Sequence, residues 1–171
     1  FDGIQFPAEE IKTLRDTDVT PFIRLMPRSR FQDSGQDPIY TLQGIVDGKF
    51  DTSLREWARQ ASSIDAPLLV EFGTEMNGDW FTWAGVYNGA DATNLYGDPT
   101  QADGPEIFKD AYRHIVDIFR AEGAENITWF FHVNILSSPD VAWNQPSQYY
   151  PGDDYVDWIG VSVYGAQQED D

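Results

Sequence analysis

Four short runs rich in β-branched and aromatic residues, PFIRLM (21–26), PLLVEFG (67–73), NITWFFHVN (126–134) and YVDWIGVSVYG (155–165), are spaced by stretches long enough to hold a helix. This rhythm indicates α/β organisation. The first run leads into a long loop over 29–50. A helix follows, with Asp51 or Thr52 as its N-cap and Leu54, Trp57, Ala58, Ala61 and Ile64 on one face. The clearest helix spans 103–123: Asp103 can cap it, Pro105 suits its first turn and Gly123 its stop. Its apolar face is Ile107, Phe108, Ala111, Tyr112, Ile115, Ile118 and Phe119. Residues 7–16 also read as helical. No repeat or low-complexity linker interrupts the chain, so residues 1–171 are expected to form one domain.

Strand parity sorts the polar residues. If Leu68, Val70 and Phe72 face outward under the helices, then Leu69, Glu71, Gly73 and, continuing, Glu75 face inward. The same choice turns inward Arg24 in the first run, Thr128, Phe130, His132 and Asn134 in the third, and Trp158, Gly160, Ser162 and Tyr164 in the fourth. In a parallel barrel the C-terminal strand ends form the site, and Glu75, Asn134 and Tyr164 fall there. Polar groups deeper in the strands must be paired, and an ion pair between Arg24 and Glu71 in the core is expected.

Charge excludes several partners. With 29 acidic against 11 basic residues, a formal charge of −18, the chain repels nucleic-acid phosphates and anionic lipid. No run of about 18 apolar residues exists for a membrane span. The start FDGIQFPAEE lacks the basic and apolar parts of a signal peptide, although a leader could have been removed. Zero cysteine excludes disulfides and thiolate metal sites.

The stretch EFGTEMNGDWFTWAG (71–85) gathers carboxylates, an amide and tryptophans. Its TEMNGDWFTWAG portion resembles the acid/base motif of glycoside hydrolase family 26, the β-mannanases and related β-glucanases. PFIRLMPR, GIVDGKFD and YYPGDDYVDWIGVSVYG extend the resemblance, in order, over most of the chain. The resemblance implies a (β/α)8 barrel of which this chain covers about strands three to six, and a retaining endo-glycosidase acting on β-1,4-linked mannan or a mixed-linkage β-glucan. By this alignment Glu75 is the general acid/base, Trp80 a sugar platform, and Tyr164 the residue that orients the nucleophile. Trp83 and Trp143 extend the platform. The resemblance also implies a secreted or cell-surface protein with no cofactor. Two positions depart from the pattern: Thr74 stands where many relatives have His, and Ser162 where many have Asp. The family nucleophile, a Glu on the seventh strand, has no counterpart before the sequence stops at VYGAQQEDD. A second chain or further segment completing the barrel is one expectation. A non-catalytic carbohydrate-binding or scaffold protein is the alternative.

Other carboxylates fit the nucleophile role poorly. Glu71 precedes Glu75 by four residues, about 13 Å if the strand stays extended, against the roughly 5 to 5.5 Å of a retaining pair. Glu169, Asp170 and Asp171 read as a solvated tail. His132 is either a sugar contact or a core histidine bonded to a neighbour, and His114 reads as surface; neither points to a metal. Asn77 is balanced between site contact and turn former. Asp91, Asn94, Asp98 and Asp103 are hard oxygen donors without a regular calcium-loop spacing, and a solvated acidic loop is the simpler reading. Trp57, Trp129 and Trp158 are expected in the core.

Overall fold

The computed structural model describes residues 3–14, 17, 19–29 and 35–165. Its centre is a parallel sheet of four strands in sequence order: β1 (Phe22–Leu25), β2 (Leu68–Phe72), β3 (Ile127–Asn134) and β4 (Trp158–Ser162). Register places Arg24 opposite Glu71, Glu71 opposite Phe130, and Asn134 opposite Ser162. Helices α1 (Ala8–Leu14), α2 (Leu42–Val46), α3 (Asp51–Ser62) and α4 (Asp103–Ala121) complete the regular structure. Among the described residues no helix is long and apolar enough to cross a membrane.

One face of the sheet is packed as parity requires. Leu68, Val70 and Phe72 are buried, as are Trp129, Phe131 and Val133 of β3. Aromatic rings join the layers: Trp57 of α3 lies 5.0 Å from Phe119 of α4, Phe119 lies 5.2 Å from Trp129, and Phe72 stacks on Phe108 at 5.7 Å. Burying such large rings supplies most of the driving force for this layer.

The opposite face is only partly covered, which corrects two expectations. Trp158 is 58% exposed and not a core residue, touching Phe130 at 5.5 Å between ring centroids. Burial there needs an opposing layer, and none lies among the described residues. For the same reason the Arg24–Glu71 pair is one-sided: Nε and Oε1 are 2.7 Å apart, with Glu71 buried but the Arg24 side chain 45% exposed.

The caps differ as well. Phe50 and Ala102 hold the cap positions of α3 and α4, so Asp51 and Asp103 are first helical residues. Asp51 instead accepts His114 Nε2 at 2.7 Å, drawing a histidine expected on the surface into a partly buried contact between helices. Asp103 accepts the Leu95 N–H at 3.0 Å. Within the expected loop, Thr41 caps α2 by accepting the Gly44 N–H at 2.9 Å. The signal was present, a threonine ahead of Leu42, Ile45 and Val46. The expected tail at 169–171 lies outside the described residues.

Candidate active site

β2 does not run on to Glu75 as the parity argument assumed. It ends at Phe72, after which Gly73 (φ 65°) and Glu75 itself (φ 53°) turn left-handed. A non-glycine residue there is strained, and such strain persists only where surrounding contacts hold it. Those contacts are explicit. The Glu75 N–H donates to the His132 carbonyl on β3 at 2.8 Å, and Glu75 O accepts the Gly78 N–H at 3.0 Å. Trp83 Nε1–H donates to the Thr74 carbonyl at 2.8 Å. The 13 Å separation from Glu71 therefore does not apply, but Glu71 is already engaged by Arg24 and by His132.

Glu75 is 7% exposed, and its two oxygens have separate partners. Trp80 Nε1–H donates to Oε2 at 2.7 Å, and the Tyr164 hydroxyl donates to Oε1 at 3.2 Å. Tyr164, 89 positions from Glu75 in sequence, thus meets its carboxyl group. Trp80 is 40% exposed and Tyr164 66%, so both remain open to a ligand. Gly78 makes the Trp80 position possible, since a Cβ there would sit 2.4 Å from the indole Cζ2.

The two asparagines work underneath. Asn77 is fully buried: its Nδ2 donates to Asn134 O at 2.9 Å and to Ser137 Oγ at 3.1 Å, while its Oδ1 accepts the Asn134 N–H at 2.9 Å. This clamp ties the Glu75 turn to the end of β3. Asn134 uses its own Oδ1 on the Leu136 N–H. Asn77, fully buried and spent on these partners, is a positioning residue here, whereas Asn134, 7% exposed, ends β3 beside the Glu75 turn.

Trp83 is likewise corrected. It is 2% exposed and stacked on Phe81 at 4.7 Å, leaving no ring face for a sugar. Trp143 sits partly buried on a short turn, Ala142–Asn144, apart from the hydrogen bonds around Glu75. In the acidic loop, Asp98 closes a turn by accepting the Thr100 N–H and hydroxyl, and no group of three or more His, Cys, Asp or Glu able to hold a metal occurs among the described residues.

The His132 ring joins three residues near the carboxyl group. Its Nδ1 lies 2.6 Å from Glu71 Oε2 and 3.1 Å from Thr74 Oγ1, and its Nε2 lies 2.9 Å from Ser162 Oγ. Thr74 and Ser162, the two positions that depart from the resembled pattern, therefore meet at one ring. Sequence alone gave no reason to couple them.

Known proteins share this architecture. Endoglucanase H of Acetivibrio thermocellus is 35% identical over 127 residues, covering 73% of this chain and 12% of that one. Beta-1,3-xylanase TXYA of a Vibrio species is 26% identical over 127 residues, 74% of this chain and 23% of that one. The β-mannanase from a symbiotic protist of the termite Reticulitermes speratus, solved with gluco-manno-oligosaccharide, superposes with a TM-score of 0.65 at 18% identity, over 94% of this chain and 47% of that one. The chain thus spans under half the length of these relatives. Its parallel sheet is part of a (β/α)8 barrel of the TIM type. The sequence pattern of glycosyl hydrolase family 26 matches residues 43–171, well over half of the chain, and the chain belongs to that hydrolase family.

Proposed function

We propose that this chain carries the acid/base side of a retaining endo-glycosidase acting on β-1,4-linked mannan or a related β-glucan. The carrying observation is Glu75, a nearly buried carboxyl group held between the Trp80 indole and the Tyr164 hydroxyl at the C-terminal end of the sheet. In this reading Glu75 protonates the glycosidic oxygen and then, as carboxylate, draws a proton from the attacking water. The exposed Trp80 ring supports a sugar face, because pyranose C–H groups lose water against an aromatic surface while their hydroxyls stay solvated at the edge.

Retention needs a second carboxylate about 5 to 5.5 Å away to attack the anomeric carbon. Glu71, paired with Arg24 and His132, is a structural group in this reading. The nucleophile then comes from barrel strands beyond the described sheet, in the same polypeptide or in a second chain. The endoglucanase and β-mannanase names of the relatives support a β-linked polysaccharide, and a polymer of that size implies action outside the cell.

Glu75→Gln, made in the protein with its barrel completed, tests the assignment. Turnover of mannohexaose or cellohexaose is expected to fall by about 10²- to 10⁴-fold, the usual contribution of general acid–base catalysis, with the melting temperature preserved. Unchanged turnover would remove Glu75 from the mechanism. Saturable tryptophan quenching by these sugars without any product would favour a non-catalytic binding protein.

A further inference from the structure

His132 reaches the cleft through its neighbours. Glu71, 1% exposed and ion-paired to Arg24 at 2.7 Å, offers Oε2 to the ring at 2.6 Å, so Nδ1 carries the proton that bonds it. In the neutral ring with Nδ1–H, Nε2 keeps a lone pair and can only accept. In that neutral form the Ser162 hydroxyl, 2.9 Å away, donates its hydrogen to Nε2. A hydroxyl committed inward presents only lone pairs outward. Ser162 is partly exposed and lies two residues before Tyr164, whose hydroxyl meets Glu75.

We infer that His132 is a positioning residue that fixes Ser162 as a hydrogen-bond acceptor for one sugar hydroxyl in the subsite of Glu75. The chain Arg24–Glu71–His132–Ser162 crosses all four strands, and it turns a freely rotating hydroxyl into a group of fixed polarity. The inference rests on the glycosidase reading above. Mannose and glucose differ in the orientation of a single ring hydroxyl, so an acceptor with one orientation discriminates between them where a rotating one adapts to both.

The test is a double-mutant cycle in the full chain. Wild type, His132→Gln, Ser162→Ala and the double variant are titrated with mannohexaose and cellohexaose by tryptophan fluorescence, while product release is followed by chromatography. Each single variant is expected to change the ratio of the two affinities by about fivefold, the worth of one neutral hydrogen bond. The double variant should show no more change than Ser162→Ala, because His132 acts through the hydroxyl. An unchanged ratio in Ser162→Ala overturns the assignment even if His132→Gln does not fold. So do independent, additive effects, or a His132→Gln that weakens both sugars equally. A wild-type chain that releases product while these ratios stay fixed overturns only the His132 role. A protein with its barrel completed that binds neither sugar and releases nothing overturns the glycosidase reading, and this inference with it.

Discussion

At the scale of single residues, polarity in this chain is decided by partners more than by residue type. Trp80 and Trp83 lie three positions apart in one motif, yet one offers a ring to solvent and the other is sealed in the interior. Their N–H groups explain the difference in use: Trp80 bonds the Glu75 carboxyl group, Trp83 a backbone carbonyl. Trp80→Phe keeps an aromatic, though smaller, face and deletes the N–H. Removing a hydrogen bond to a carboxyl group costs about 1.5 to 3 kcal/mol, so kcat/KM on a hexasaccharide should fall about 10- to 100-fold, with little change in melting temperature. Asn77→Ala should do the reverse at the level of the fold, leaving buried Asn134 backbone groups unpaired and costing about 2 to 4 kcal/mol in urea unfolding. Asp37 carries a pH dependence. Burial opposes its charge, but N–H groups of Ser29, Tyr40 and Ile39 and the Ser29 hydroxyl outweigh burial and hold its pKa below the ordinary value. A carboxyl group with a lowered folded pKa stabilises fully above its unfolded value of about 3.9 and loses that contribution as pH falls through the folded one. The stability gap between wild type and Asp37→Asn, measured by urea titration, should therefore be widest at neutral pH and close as pH falls below about 4.

At the scale of elements, the strands were legible because their outward residues alternate. Leu68, Val70 and Phe72 and the odd positions of β3 are buried as period two requires. Periodicity could not locate the end of β2, because Gly73, Thr74 and Glu75 preserve the pattern while the backbone leaves it. Gly73 shows why the turn falls there. Its φ of 65° suits glycine, and a Cβ would stand 2.5 Å from the Phe108 ring of α4. Gly73→Ala should destabilise the fold by more than about 2 kcal/mol, since strain and overpacking act together; calorimetry showing an unshifted melting temperature would contradict this packing. The caps of α3 and α4 were misread for a related reason. Asp51 and Asp103 suit N-cap positions, but a distant His114 and a loop N–H compete for their carboxylates. Propensity ranks local partners only.

At the scale of the molecule, β4 ends the described sheet with Ile159 63% and Val161 50% exposed, and Val163 just after it 65% exposed. An unpaired apolar edge invites pairing with another strand. The 171-residue chain expressed by itself should therefore self-associate at rising concentration, more so in salt that screens its formal charge of −18. Val161→Lys should shift sedimentation toward monomer; a wild type that stays monomeric at high salt would contradict the edge as the contact. By itself the sequence determined the α/β class, the four strands and the packed face, and the family resemblance singled out Glu75, Trp80 and Tyr164. These rest on side-chain periodicity and motif spacing, which are properties of neighbours along the chain. Only the tertiary structure decided which polar groups meet. The left-handed turn under Glu75, the Asn77 clamp, the burial of Trp83, and the joining of Thr74 and Ser162 through His132 all depend on strands brought side by side. Contacts across a sheet are set by register and layer packing, which leave no periodic mark on the residues that make them.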